Sequence, residues 1–310
     1  MTAYEYTDFD PYDESVTGEE IFTRYTALRD KCPVGYSEAK GGAYFVLGDA
    51  EVKAAAKAAD VFSSADGILF PLDPHPKFVP IEHDRPEHSW WRQIMSPPFT
   101  PQAVRELEPR ITEVVDAQID TFIATGRADL VNDFALRIPT GIIAYLLGFE
   151  GESRQRMIDV VDMFFETKGT ERFGEWIAAF DDFVLAETTI RREHPRDDYL
   201  TQLIVNEHEG RMLTHEDLFS LMVSFALPGY ESTVSGMATL LLHVGRDRDL
   251  RDRLMTDPSL IPGAVEEAVR IAVPLQFFRR YTTEDTTLGG VEIPAKSNVV
   301  LCYGAAARDP

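Results

Sequence analysis

The sequence predicts a mainly α-helical fold with a minor β region. Three observations carry this. Helical spacing of apolar residues dominates from Pro86 onward. A long apolar stretch over 213–245 reads as one helix opened by a capping box of Thr214 and Asp217. Short extended patterns occur only towards the two ends of the chain.

Taken in order, 1–18 is a loose acidic lead-in, and 19–310 forms one domain. Residues 19–29 are helical in pattern. Residues 43–47 (Ala-Tyr-Phe-Val-Leu) read as a strand, after which Asp49 caps a helix rich in alanine and lysine. Residues 69–80 hold prolines 71, 74, 76 and 80, so they form an irregular loop of the kind that lines or covers a pocket. Helices are predicted at 86–96, 101–124, 128–147, 151–167, 169–193, 197–207, 214–244, 247–255 and 259–272. Residues 287–293 read as a hairpin about Gly289-Gly290, and 298–302 as a further strand.

Composition narrows the function classes. The chain has 310 residues, 44% hydrophobic, which suffices for a sizeable core. The formal net charge of −22 repels phosphate backbones and anionic lipid, which disfavours nucleic acid and membrane surfaces as partners. The first fifteen residues lack the basic and apolar regions of a signal peptide. Only Cys32 and Cys302 are present, too few for a disulfide framework, and the expected compartment is cytoplasmic. The seven histidines show no zinc-hydrolase spacing.

The long apolar helix carries the most informative segment, Leu227-Pro228-Gly229-Tyr230-Glu231-Ser232-Thr233. Proline inside a helix costs about 3 kcal/mol and glycine about 1 kcal/mol. A break is therefore expected here, followed at once by a carboxylate and two hydroxyls. Residues 219–242 have the length of a membrane span. However, Glu231 lies at their centre, and Glu216, Asp217, Asp247 and Asp249 flank them. The residues alone leave two readings open, a reaction site and an ordinary kinked core helix.

Further along, Glu267 and Arg270 share a helix face at i, i+3. Pro274, Arg280-Tyr-Thr-Thr-Glu-Asp285, Leu288-Gly289-Gly290, Ile293-Pro294-Ala295 and Ala307-Arg308-Asp309-Pro310 follow. Upstream stand Asp84-Arg85-Pro86-Glu87-His88-Ser-Trp-Trp-Arg92, Phe99-Thr100-Pro101, Arg192 and Asp197-Asp198-Tyr199-Leu200. In this order and spacing, from about Cys32 to Pro310, the segments resemble the bacterial cytochromes P-450, the haem-thiolate monooxygenases.

The resemblance implies a cytochrome P-450-like fold, incomplete at the C-terminus, and haem b as cofactor. It implies insertion of one oxygen atom from O2 into a small apolar substrate. Electrons would come from NAD(P)H through a ferredoxin and ferredoxin reductase. It places His88, Arg92 and Arg280 on the haem propionates, with Arg279 as the alternative to Arg280. From the residues alone, Arg92 reads rather as part of a wet helix face. Gly229 matches the small residue that lets the distal helix approach the haem, and Glu231 and Ser232 match the acid–alcohol pair that handles protons. Serine stands where threonine is usual and Pro228 where alanine or glycine is usual, so Thr233 is expected to share the role. Glu267 and Arg270 match a buried structural ion pair.

The family's axial cysteine would lie beyond Pro310, in a Phe-Gly-x-Gly-x-x-x-Cys-x-Gly loop at a helix N-terminus. Cys302, in an apolar strand with no helix behind it, is not expected to replace it. The chain is accordingly expected to be a fragment. The alternative is a non-catalytic truncated helical protein that binds a hydrophobic ligand.

Overall fold

The computed structural model describes residues 4–310 apart from 7, 8, 14, 17, 73, 74 and 169, with only the backbone of residues 4 and 5. Pro74 of the proline-rich loop, Gly169 at the expected start of one helix, and parts of the lead-in lie outside the described residues. The chain divides into two compact units, residues 1–88 with 266–310, and residues 89–265.

In chain order the strands are β1 (Tyr4–Glu5), β2 (Val34–Ser37), β3 (Ala43–Val46), β4 (Phe62–Ser63), β5 (Phe278–Thr282), β6 (Thr286–Leu288), β7 (Val291–Ile293) and β8 (Asn298–Leu301). The helices are α1 (Glu20–Arg29), α2 (Asp49–Lys57), α3 (Glu87–Met95), α4 (Pro101–Asp120), α5 (Arg137–Leu146) and α6 (Gly151–Thr167). They continue as α7 (Phe173–Glu193), α8 (Tyr199–Val205), α9 (His215–Arg246), α10 (Arg248–Thr256), α11 (Ile261–Ala272) and α12 (Tyr303–Ala306). The predicted class holds, and α6 matches its predicted span. The predicted helix over 128–147 instead begins as a π-helical segment, Leu130–Ala135, before α5.

The first unit is built on a six-stranded sheet of order β1-β2-β3-β8-β5-β4. Side chains alternate across a strand, so β8 feeds two cores. Val299 and Leu301 pack with Val34, Val46 and Phe62 on one face, while Val300 and Cys302 pack with Phe45, Phe70 and Tyr25 on the other. The lead-in is not loose. Tyr6 and Phe9 are buried in that second core, and β1 pairs in parallel with β2. Tyr6 and Phe9, two of the four aromatic residues in this acidic segment, were the sign of this, because their burial outweighs the solubility of their neighbours. The hairpin β6–β7 forms as predicted, with Gly289 at φ 56° and Gly290 at φ 78°. Asp49 is the first residue of α2 and not its cap; Gly48 takes the cap position with no side-chain bond, and the Asp49 carboxylate accepts from Lys53 Nζ at 2.6 Å.

The second unit is a helical bundle around α9. Thr214 and Asp217 make the capping box, each side chain bonding the other's backbone N–H. Contrary to expectation, α9 runs unbroken for 32 residues through Pro228. The proline costs about 3 kcal/mol. Leu218, Leu221, Met222 and Phe225 are all buried on the same helix, and burying each contributes about 1.5–3 kcal/mol, so any two offset the proline. An aromatic cluster of Phe164, Phe173, Trp176 and Phe180 locks α6 to α7, and Trp176 Nε1 donates to the Val160 carbonyl at 3.0 Å.

One ion network joins three elements of this unit. Arg191 is wholly buried on α7. It donates to Glu187 Oε2 at 2.6 Å, to Asp198 Oδ2 at 3.1 Å and to the Gly148 carbonyl at 2.8 Å. Asp198 also caps α8 by accepting from Thr201 N. The sequence motif singled out the adjacent Arg192, which lies exposed. One residue of helix is a 100° turn, enough to exchange core for solvent.

Candidate functional site

Burial along α9 changes abruptly at the predicted segment. Residues 218–223 and 225–227 are buried, whereas Pro228, Glu231 and Thr233 are exposed and Gly229, Tyr230 and Ser232 half-buried. The Ser232 hydroxyl donates to the Pro228 carbonyl at 2.6 Å. That bond closes the turn containing the proline and points the hydroxyl proton at the backbone, leaving the oxygen lone pairs to accept. Glu231 and Thr233 make no side-chain hydrogen bond to another described residue and stand on either side of Ser232 around the helix.

Gly229 faces α5. A Cβ there would come within 2.8 Å of Ile143 Cδ1, so the missing side chain is what lets the two helices approach at this level. Tyr230 turns to α6, with its ring 5.2 Å from Phe165. Burial first, and then the Asp162 carboxylate, raise the Tyr230 hydroxyl above the usual phenol range, so it stays protonated.

The predicted propionate partners divide between the two units. His88 and Arg92 lie one turn apart on α3, His88 half-buried and Arg92 exposed with no ion pair among the described residues. On β5, successive side chains point to opposite faces of the sheet, and this separates the two candidate arginines. Arg279 is buried and fully engaged. It donates to Asn298 Oδ1 at 2.7 Å, to the carbonyls of Asp66 and Gly67 at 2.7 and 3.0 Å, and to Asp66 Oδ2 at 2.8 Å. Arg280 is half-buried, and among the described residues its guanidinium bonds only the Arg279 carbonyl, at 2.9 Å. Of the pair, Arg280 is the one with donors to spare for a carboxylate.

Glu267 and Arg270 do pair, through two bonds of 2.6 and 2.7 Å, and Arg270 also donates to the Ala307 carbonyl at 2.6 Å. The expected burial is corrected. The two side chains are 54% and 48% exposed, so the pair is worth about 1 kcal/mol or less. It pins α11 to the segment after α12 at the surface of the unit.

Neither cysteine suits an iron ligand. A thiolate needs a polar or electropositive setting. Cys302 is fully buried among Phe45, Phe70 and Ala305, and burial pushes its thiol far above the usual range. The expectation that no helix follows it is corrected, since α12 begins at Tyr303. However, α12 is four residues long, and Cys302 at its cap position makes no side-chain cap bond. Cys32 is half-buried with Sγ on the Val34 carbonyl at 3.1 Å.

The proline-rich loop is organised by a residue that no motif singled out. Glu82 is buried and accepts from Ile68 N at 2.9 Å, Phe78 N at 2.8 Å and His75 Nε2 at 3.0 Å. Its only sequence signal was a carboxylate closing a stretch of prolines. Of the apolar residues that flank this loop, Phe70 belongs to the sheet core, 5.7 Å from the Phe45 ring.

Comparison with known proteins places the chain. A family model described as Cytochrome P450 matches residues 142–310. The chain is 31% identical over 313 residues to 6-deoxyerythronolide B hydroxylase of Saccharopolyspora erythraea, a match covering 93% of this chain and 76% of that protein. It is a member of the cytochrome P450 family. Another relative, Vitamin D(3) 25-hydroxylase of Pseudonocardia autotrophica, is 32% identical over 245 residues, or 77% of this chain. The chain spans 59% of that relative's length. In fold, a cytochrome P450 of Mycobacterium marinum in complex with pseudoionone superposes with a TM-score of 0.87 at 24% identity, covering 97% of this chain and 81% of that one. Among the described residues, no helix is long and apolar enough to cross a membrane, which sets aside the span over 219–242.

Proposed function

We propose that this P450 chain contributes the distal surface and propionate contacts of a haem b monooxygenase. The reaction inserts one oxygen atom from O2 into a small apolar substrate. Electrons derive from NAD(P)H through a ferredoxin-type donor. The observation that carries this reading is the uncovered face of α9, where Glu231, Ser232 and Thr233 follow a buried helical stretch and the Ser232 hydroxyl is held on the Pro228 carbonyl.

The residues present fit part of the cofactor. Arg92 and Arg280 retain guanidinium donors for propionates, and His88 lies one turn from Arg92. Charge-assisted bonds of this kind suit a carboxylate. Neither Cys302 nor Cys32 fits as axial ligand, and we infer that the thiolate is supplied by neither. Haem iron, when bound, supplies the activation of dioxygen. The chain's own part is to position and to deliver protons. Ser232 Oγ, with its proton committed to the backbone, accepts from a water and orients it. Glu231, exposed on the same helix, exchanges protons between that water and solvent. Thr233 offers a second hydroxyl on the other flank. Gly229 keeps α5 and α9 close and so fixes where these groups stand.

Haem association by the 310-residue chain tests the contacts directly. Titrated with haem, the Arg280→Ala and Arg92→Ala variants are expected to bind more weakly than the parent, by at least about tenfold if each removes one charge-assisted bond of about 1.5–3 kcal/mol. Unchanged affinity in both would refute the propionate assignment. A carbon monoxide band typical of thiolate ligation in the reduced chain would return Cys302 to consideration.

The proton role is tested in turnover assays of the haem-loaded enzyme. Ser232→Ala is expected to leave haem and substrate binding nearly intact while diverting reducing equivalents to hydrogen peroxide. Ser232→Thr should match or improve the ratio of product to NAD(P)H consumed, because the added methyl restricts χ1. If Ser232→Ala keeps the parent ratio and Thr233→Ala loses it, the alcohol is Thr233.

A further inference from the structure

Between α4, α5 and the start of α6, all within the helical unit, lies a crevice of about 580 Å3 that is separate from the exposed face of α9. That is the size of a small-molecule site. We propose that it binds a small organic monocarboxylate with an aromatic or apolar body.

The charge of the ligand follows from the cations that line the crevice. Arg110 and Arg154 both contribute to its wall, and each has a buried Nε with no hydrogen-bond partner among the described residues. A buried unsatisfied donor costs about 1–3 kcal/mol, so two in one crevice require an account. Arg110 is otherwise provided for, since its Nη1 donates to Glu113 Oε2 at 2.9 Å and its guanidinium lies 5.3 Å from the Tyr145 ring centroid. Arg154 forms no ion pair with any described residue, although Glu106, Glu113 and Glu150 all line the same crevice. Glu113 is taken by Arg110, and Glu106 Oε1 accepts from Gln102. Arg154 is thus the one guanidinium of this wall with no acceptor among the described residues, and a single carboxylate is the ligand group that meets its fork.

The rest of the wall selects the body. Three carboxylates against two guanidiniums leave the wall net negative, which disfavours a polyanion such as phosphate and limits the ligand to a single charge. Tyr145 is 47% exposed, and beside Pro109 it offers an apolar face on which a ring can lie. A carboxylate meeting the Nε–Nη edge of Arg154, after a turn about the terminal side-chain torsions, supplies the missing acceptor while the ligand body covers Tyr145. Such a ligand would rest on α5, whose Ile143 abuts Gly229 on α9.

Benzoate is the probe, titrated calorimetrically into the 310-residue chain. Saturable binding with a dissociation constant of about 1 mM or tighter is expected. Arg154→Gln should weaken it at least about tenfold, the loss of one charge-assisted bond. Tyr145→Ala, at an exposed position that leaves the fold intact, should weaken benzoate but not acetate. The proposal is overturned if benzoate does not saturate, if its binding survives both substitutions, or if inorganic phosphate displaces it at equal concentration.

Discussion

Arg191→Ala is expected to be the most damaging single substitution in this chain, lowering unfolding free energy by about 3–5 kcal/mol. The guanidinium is wholly buried, and its three nitrogens serve three partners on separate elements: Glu187 on α7, Asp198 at the cap of α8, and the Gly148 carbonyl after α5. Removing it strands the Glu187 carboxylate, which is 1% exposed and whose Oε1 already has no hydrogen-bond partner among the described residues. Arg191→Lys should rescue little, because a point charge cannot span the fork that reaches all three acceptors. Arg192→Ala, one residue on and exposed, should change stability by no more than about 0.5 kcal/mol. Equilibrium urea unfolding of the three variants decides the matter. An Arg191→Ala midpoint close to the parent's would mean that the network contributes nothing net. Replacing Arg191 and Glu187 together by methionine should recover much of the loss, since a buried pair exchanged for apolar residues is often neutral.

Glu82→Ala should cost about 2–4 kcal/mol and loosen the proline-rich loop. It leaves the Ile68 and Phe78 N–H groups and His75 without their acceptor, each lost partner costing about 1–3 kcal/mol where no water replaces it. The site also sets a pH dependence. Burial alone would raise the Glu82 carboxyl, but the bond from His75 and those from the Phe78 and Ile68 N–H groups outweigh it. They hold the carboxyl below its ordinary value of 4.5. A group whose folded value is depressed contributes stability that is present above the unfolded value and lost as pH falls through the folded one. Stability should therefore decline as pH drops below about 4.5, and Glu82→Gln, which cannot ionise, should flatten that limb. Unfolding midpoints measured from pH 7 down to 3 would check this. A Gln variant with the parent's acid slope would show that other carboxylates dominate.

How much of this was legible beforehand differs from element to element. The sequence by itself determined the element types and most of their places. Helical and twofold periodicities are local properties, so α6, the capping box of α9 and the Gly289-Gly290 hairpin needed no tertiary information. The candidate segment from Gly229 to Thr233 was also readable, because a carboxylate and two hydroxyls beside a proline are conspicuous in an apolar helix. Only the tertiary structure decided what each side chain faces. Packing on α5 and α7 carried α9 straight through Pro228, against a local cost that favoured a break. Sheet pairing sent Arg279 inward to Asp66 and left Arg280 with donors to spare, although the two are adjacent and chemically identical. A 100° helix step buried Arg191 and exposed Arg192. Glu267 and Arg270 paired as their spacing required, yet on the surface, because an i, i+3 spacing fixes a shared face and not its orientation. Burial and ion pairing depend on neighbours distant in the chain, and no local pattern encodes them.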